Sequence, residues 1–196
     1  MVPRLAHHSA RVTSSGAHSV TTTWVALLRG INVGRNKRIA MPALRDVLAS
    51  LGYSDVRTHL QSGNAIFSIP RRKPDAIEQE VSSRIKQAFG MEVAVMVRSA
   101  AELAGVVEAN PFVARGANAS ELHATFLSAP PSPAKIATVD AAAGAPDEFA
   151  IGTRVIYVRL PNGVMGSRLP NWERVFGVRA TTRNWNTTTR LRDLAL

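Results

Sequence analysis

The chain has 196 residues, of which 45% are hydrophobic and none is cysteine, and its formal net charge is +10 at pH 7. This length suits one ordinary domain or two small ones, and the apolar fraction is that of a globular protein with a buried core. The absence of cysteine excludes disulfides, thiol catalysis and thiolate metal sites, and it is compatible with a reducing, cytoplasmic compartment. No run reaches the roughly 18 apolar residues of a membrane span.

The positive charge is concentrated near the two ends of the sequence. Residues 23–40 carry four bases and no acid, and residues 154–196 carry eight arginines against Glu173 and Asp193, whereas residues 41–153 are close to balanced. If the two basic segments meet in space, they create a positive field that attracts anions, including nucleic acid. The alternative is that these arginines are ordinary solvated surface residues.

Residues 1–22 are rich in Ser, Thr, His and Ala and show no apolar period, which predicts a disordered tail. They lack the continuous apolar segment of a secretory signal. His7, His8 and His18 do not have the spacing of metal ligands.

Residues 23–115 are predicted to form an N-terminal α+β half. A buried strand is followed by a Gly- and Asn-rich loop and a helix that ends at Gly52. Two strands around a tight turn, a helix that ends at Gly90 and a fourth strand complete the half. The predicted strands span residues 24–29, 56–60, 65–69 and 92–98. The order β-α-β-β-α-β is that of the ferredoxin-like fold.

Residues 116–196 are predicted to form a C-terminal α+β half. Before it, Ser99 and Glu102 have the spacing of a capping box and predict a helix that stops before Asn110-Pro111. The second half has strands at 121–128, 147–151 and 154–160 and helices near 132–142, before Gly177 and at 184–194. It therefore repeats β-α-β-β-α in order. The predicted class is α+β, with two ferredoxin-like (βαββαβ-type) halves, antiparallel or mixed sheets and helices on one face.

Several long segments carry a family resemblance. They are ALLRGINVG at 26–34, MPALRDVLASLG at 41–52, VRTHLQSGNAIF at 56–67, YVRLPNGVMGSRL at 157–169 and ATTRNWNT at 180–187. Together they resemble the family called domain of unknown function 1697, over roughly residues 23–196. The resemblance implies a small bacterial α+β protein and brings no established activity, substrate, cofactor or catalytic residue. Where many members have Gly-Gly in the first loop, this chain has Gly34-Arg35, which adds a charge and removes a flexible residue.

Three polar clusters are candidates for an anion-binding site. The first is the loop after the first strand, where a helix N-terminus and basic side chains suit phosphate, although it has neither P-loop nor Rossmann spacing. The second is the turn at 61–64, with amides and a hydroxyl. The third is the segment TTRNWNT, in which a guanidinium can bind phosphate and an indole can stack on a base. The candidate ligand-binding residues are Arg29, Asn32, Arg35, Lys37, Gln61, Ser62, Asn64, Arg168, Arg183, Asn184, Trp185 and Asn186.

Each cluster also has a purely structural interpretation. Gly and Asn adopt unusual dihedral angles in loops, turn residues hydrogen-bond to their own backbone, and the last segment can be a capped helix with Trp185 in the core. No HExxH motif, nucleophile elbow or Ser/His/Asp set is present, so neither a metal nor a cofactor is predicted.

The leading hypothesis is a protein that binds nucleic acid or a nucleotide at a site formed by the two basic signature stretches. The first alternative is an enzyme acting on a small phosphorylated or carboxylated metabolite, with a titratable group beside the arginines. The second alternative is that the signature loops only hold the two halves together. The sequence leaves the oligomeric state open.

Overall fold

The computed structural model describes residues 21–34, 38–140 and 142–196. The predicted tail lies outside the described residues up to residue 20, and Thr21 already belongs to the first strand. The strands are β1 (Thr21–Leu28), β2 (Ser54–His59), β3 (Asn64–Pro70), β4 (Val95–Ser99), β5 (Leu122–Leu127), β6 (Glu148–Ile151), β7 (Val155–Arg159) and β8 (Ala180–Asn184). The helices are α1 (Met41–Ala49), α2 (Pro74–Phe89), α3 (Ala100–Glu108), α4 (Pro111–Ala114), α5 (Pro133–Ile136), α6 (Trp172–Phe176) and α7 (Trp185–Ala195). Among the described residues, no helix is long and apolar enough to cross a membrane.

The first unit, formed by β1 to β4 with α1 and α2, has the predicted ferredoxin-like topology. Its four strands are antiparallel in the order β2-β3-β1-β4. Local sequence explains the helix ends, because α2 has Pro74 in its first turn and stops at Gly90, which has φ 67°. The predicted capping box is also present, since Ser99 and Glu102 exchange hydrogen bonds at the start of α3.

The second unit, formed by β5 to β8 with α5 and α6, repeats this topology. Its strand order is β6-β7-β5-β8, again antiparallel throughout. The sequence analysis missed β8, because its residues are polar and lie directly before the last helix. The helix predicted near 132–142 is a single turn, α5, in a segment rich in proline and alanine.

Each sheet is covered on both faces. The α1 and α2 helices pack on the outer face of the first sheet, where Trp24, Ala26, Leu28 and Phe67 are buried. The α3 and α7 helices lie between the two sheets, and α7 contacts strands of both. The central core joins Val25 and Leu27 of the first sheet to Ala124 and Phe126 of the second, with Trp185 of α7. The helices of each βαββαβ unit therefore occupy one face, as predicted, and the helix that follows each unit covers the other.

The two units match in strand register. Leu28 N–H donates to Gly63 O at 2.8 Å, and in the second unit Leu127 N–H donates to Arg154 O at 3.0 Å. In the first unit, Val25 of the central strand β1 pairs with Arg98 of β4. In the second unit, Ala124 of the central strand β5 pairs with Arg183 of β8. Arg98 and Arg183 therefore occupy equivalent positions, one residue before the residue that caps the following helix. The predicted boundary at residues 115/116 lies in the link between α4 and β5.

Candidate functional site

Arg183 connects the two basic signature stretches. It extends from β8 toward the central layer, and its Nε donates to Asn64 Oδ1 at 2.6 Å. One Nη donates to Leu28 O at 2.8 Å, while the other donates to Thr181 Oγ1 at 2.8 Å and Thr182 O at 2.9 Å. The side chain is buried, with 8% of the residue exposed. The end of β1, the β2–β3 turn and β8 therefore meet around this guanidinium.

Within the part of the chain that the structure describes, the charge of Arg183 is stabilised by oxygen dipoles and not by a carboxylate. All its hydrogen-bond acceptors are carbonyl, amide or hydroxyl oxygens. Burial lowers the pKa of Arg183 to about 10, so the guanidinium stays protonated at neutral pH. Every nitrogen of the group already has a protein acceptor, which makes Arg183 a connector between the units.

Asn32 fastens the first loop to the β2–β3 turn. Its Nδ2 donates to Ile39 O at 2.9 Å and to Gln61 O at 2.8 Å, and its Oδ1 accepts from Ile39 N–H at 2.9 Å. The residue has φ 55°, a conformation that asparagine tolerates better than most residues. The amide predicted to contact a ligand thus joins Ile39 and the β2–β3 turn through internal hydrogen bonds.

The β2–β3 turn is held from inside by Asn64. Asn64 is fully buried, and its Nδ2 donates to His59 O at 2.8 Å and to Ser62 Oγ at 3.1 Å. Gly63 has φ 81°, and a Cβ at this position would lie 2.6 Å from Ile31 Cδ1. The turn therefore requires glycine both for its backbone conformation and for its close contact with the loop.

The third cluster begins the last helix. Asn184 caps α7, with its Oδ1 accepting from Thr187 N–H at 2.8 Å, and Trp185 is buried in the central core with 5% exposed. The next residue, Asn186, is exposed. Trp185 is thus part of the core, whereas Thr182, Asn184 and Asn186 are the polar residues of this cluster that are exposed.

Two predicted residues have other surroundings, and two lie outside the described part of the chain. Arg29 pairs with Glu173 of α6 at 2.5 Å. Arg168 lies in a separate groove beside Asp140 and Arg174, and the described residues that line this groove include none of those that bind Arg183. Arg35 and Lys37 are not among the described residues.

The same surface contains residues that the sequence analysis did not select. Arg57 of β2 donates to Leu194 O of α7 at 2.8 Å, which brings the edge strand against the last helix. Burial and the charge of Arg190 lower the pKa of His59, so this imidazole is neutral at neutral pH. A signal for Arg190 was available, because it lies four residues after Asn186 and so on the same helix face.

We call this region the junction surface: residues 30–34, Arg38, 57–62 and the exposed side chains of Asn184, Asn186 and Arg190. These segments contain no acid. Arg38, Arg57, Gln61, Ser62, Asn186 and Arg190 are exposed there. Two exposed apolar side chains, Val33 and Leu60, lie among them. The surface combines spaced positive charges, free amides and small apolar contacts.

A second polar region is the groove between the units, with a volume of about 660 Å³. Arg29, Lys86 and Arg179 line it together with Ser82 and Ser83. Its bases are largely neutralised, because Glu173 pairs with Arg29 and Glu92 pairs with Lys86. This groove therefore attracts an anion less strongly than the junction surface.

The described residues contain no group of three or more His, Asp or Glu side chains that could hold a metal ion.

A comparison with known families gives a match over residues 21–157 to the family described as "Protein of unknown function (DUF1697)". The chain belongs to this family. The match contains the first loop, α1 and the β2–β3 turn, the segments that carried the resemblance in the N-terminal half. No curated protein matches the chain.

Among solved structures, the DUF1697 chain resembles a conserved bacterial protein, SP0830, from Streptococcus pneumoniae. The TM-score is 0.69 at 17% sequence identity, and the alignment covers 90% of this chain and 100% of the other. At this identity the likeness shows a shared fold, and the aligned 90% of the chain extends over both units.

Proposed function

We propose that this DUF1697 protein binds the phosphate groups of nucleic acid across the junction surface. The observation that carries the proposal is the convergence of three acid-free segments, held together by Arg183 and Asn32. The proposal is supported by three exposed arginines beside these contacts: Arg38 precedes Ile39, which binds Asn32, Arg57 donates to Leu194 O of α7, and Arg190 lowers the pKa of His59. Arginine binds phosphate through paired N–H groups, and a set of separated cations suits a chain of phosphates better than a single anion.

The chemistry of the surface favours contact with the backbone over contact with the bases. Single-strand binding proteins usually stack bases on exposed aromatic rings. The large apolar side chains that are exposed among the described residues are all aliphatic, and Trp185 is buried. The expected binding is therefore driven by charge, depends steeply on salt and discriminates weakly between sequences.

The proposal assigns separate roles to the predicted residues. Arg183, Asn32 and Asn64 build the surface through internal hydrogen bonds, and Asn184 and Trp185 fix α7. The ligand contacts fall instead to exposed groups: Arg38, Arg57, Gln61, Asn186 and Arg190. Removing Arg183 would test the fold as much as the binding, so the exposed arginines provide the cleaner test.

The experiment is fluorescence polarisation with labelled single- and double-stranded RNA and DNA across a salt series. The test variant is Arg38→Gln with Arg190→Gln. The control variant is Arg168→Gln with Arg174→Gln, which removes the same charge from exposed positions outside the junction surface. We expect the test variant to bind at least about tenfold more weakly at low salt and to lower the salt slope by about 1.8 on duplex DNA. The control should change little.

Two results would contradict the proposal. One is no binding of any of the four nucleic acids at about 50 mM salt, where phosphate contacts are strong. The other is an equal loss of affinity in both double variants, which would show that binding depends on the net charge of the protein and not on the junction surface.

His59 supports a second candidate, an enzyme that acts on a small phosphorylated or carboxylated metabolite. A neutral imidazole beside Arg190 can accept a proton from a substrate whose anionic group is held by the arginine. Thermal-shift screening of phosphorylated and carboxylated metabolites, followed by turnover assays with His59→Gln, tests it. A hit whose conversion is unchanged in that variant would remove His59 from this role.

A further inference from the structure

The equivalence of Arg98 and Arg183 reveals a difference between the two units. Arg98 is 2% exposed and reaches into the second unit, where its Nη2 donates to Leu127 O at 2.8 Å and to Arg154 O at 2.6 Å. Arg183 reaches in the opposite sense to the equivalent positions of the first unit, Leu28 O and Gly63 O. Each unit thus inserts one arginine into the strand end and hairpin turn of the other.

Only one of these two guanidinium groups is saturated. A guanidinium has five N–H donors. In Arg183, each of the three nitrogens donates to at least one acceptor. Arg98 donates three hydrogen bonds, the third from Nη1 to Val97 O at 2.7 Å, and its Nε donates to no group in the described part of the chain. Two donors of Arg98 are therefore unused.

The missing acceptors follow from two amino-acid differences. Asn64 Oδ1 accepts from Nε of Arg183, and by strand register the equivalent residue facing Arg98 is Val155. Thr181 Oγ1 accepts from Nη1 of Arg183, and the equivalent residue in β4 is Met96. Both Val155 and Met96 are apolar, so Arg98 has no side-chain oxygen at the two positions where Arg183 has one.

A cavity of about 480 Å³ lies at this position. It is bounded by α3, the start of α4 and the β6–β7 hairpin, and its lining includes Arg98, Val106, Pro111, Ile151, Val155 and Tyr157. This volume and a mostly apolar wall with few polar groups are typical of a small-molecule site at a boundary between structural units.

The other charged groups at the cavity form ion pairs or capping contacts. Arg154 Nη2 pairs with Glu78 at 3.0 Å, and Glu102 Oε2 accepts from Ser99 N–H at 2.7 Å in the capping box. The Nε of Arg154 is buried and has no acceptor among the described residues. Among the described residues, Arg98 donates hydrogen bonds only to carbonyl oxygens, and its guanidinium lies 5.6 Å from the centre of the Phe126 ring. A ligand that brought an anionic oxygen to Arg98 would supply both the missing acceptor and a counter-charge.

We propose that this cavity binds a small molecule with an apolar body and a single carboxylate, whose oxygen accepts from the unused N–H groups of Arg98. The carboxylate acts as the acceptor for Arg98, as Asn64 Oδ1 does for Arg183. The apolar body lies against Val106, Ile151 and Tyr157. This site is separate from the junction surface and does not depend on nucleic-acid binding.

The test uses 2-naphthoate as the probe and 2-naphthylmethanol as its neutral counterpart, measured by isothermal titration calorimetry. We expect 2-naphthoate to bind at micromolar to millimolar concentration and the alcohol to bind at least about tenfold more weakly, because it lacks the charge that pairs with Arg98. Equal affinity of the two probes, or no binding of 2-naphthoate at millimolar concentration, would overturn the proposal.

Two variants locate the site without removing Arg98. Gly105→Phe fills the cavity from α3, where an added Cβ meets no atom within 4 Å. Val155→Asn supplies the acceptor that the first unit already has. Both should weaken 2-naphthoate binding at least about tenfold, whereas Ala101→Phe, on α3 but outside the lining, should not. Thermal unfolding confirms that each variant is folded, and unchanged binding in Gly105→Phe would overturn the assignment even if Val155→Asn failed to fold.

Discussion

Replacing Arg183 with methionine removes the connector between the two units while keeping a side chain of similar length. Asn64 Oδ1 and Leu28 O lose donors at 2.6 and 2.8 Å. A buried acceptor left without its donor costs about 1–3 kcal/mol, so the two together give about 2–6 kcal/mol. Part of this loss is offset because the variant no longer buries a charge. We expect the free energy of unfolding to fall by about 3 kcal/mol.

The assay is urea denaturation followed by tryptophan fluorescence and far-UV circular dichroism. Arg183→Lys should fall between the wild type and Arg183→Met, because one ammonium cannot reach all the acceptors of the planar guanidinium. Arg190→Met is the surface control and should change stability by less than about 0.5 kcal/mol. A free energy of unfolding for Arg183→Met within about 1 kcal/mol of the wild type would refute the view that this arginine holds the units together.

Three further predictions concern single positions. Gly63→Ala should lower the free energy of unfolding by about 2–4 kcal/mol, because the residue has φ 81° and the new Cβ would overlap Ile31. In the control Gly90→Ala, where φ is 67° and the space is open, the free energy of unfolding should fall only by the backbone strain. Equal decreases in the two variants would show that the overlap with Ile31 does not contribute. Gly105→Ala should raise the free energy of unfolding by about 0.5–1 kcal/mol, since an exposed helix interior favours alanine; a lower urea midpoint would contradict this. Burial lowers the pKa of His123 below its ordinary 6.5. The unfolded state therefore binds the proton more tightly than the folded state, and the contribution of His123 to stability is lost as the pH falls below the unfolded pKa. Urea midpoints measured between about pH 7.5 and 5.5 should therefore fall less in His123→Gln than in the wild type, and parallel curves would remove His123 as a cause.

The pattern of the sequence predicted most of the first unit. The apolar face of α2, the glycine after it and the Ser99/Glu102 capping box are local signals, and the structure confirms them because they act over a few residues. The strand β8 was missed for the opposite reason. Its sequence is polar, and it becomes a strand by pairing with β5 and burying Arg183. Tertiary contacts override local propensity at such a position.

The candidate site shows the same division. The sequence alone identified the residue types and the three clusters, and the structure brings the first loop, the turn and the last helix together. The sequence alone could not distinguish the asparagines and the arginine that build the surface from those that face solvent, because Asn64 and Asn186 are the same residue type in similar polar segments. Burial and hydrogen bonding decide this, and they depend on partners more than a hundred residues away, as in the contact between Arg183 and Asn64.

Composition, the helix signals and the family were thus determined by the sequence itself, since they depend on residue types and on short segments of the chain. The reciprocal arginines, the saturated and unsaturated guanidinium groups and the cavity beside Arg98 were decided only by the tertiary structure. The physical reason is that a buried charge is defined by what surrounds it. Arg98 and Arg183 have the same side chain, and Val155 in place of Asn64 leaves one of them with unused donors.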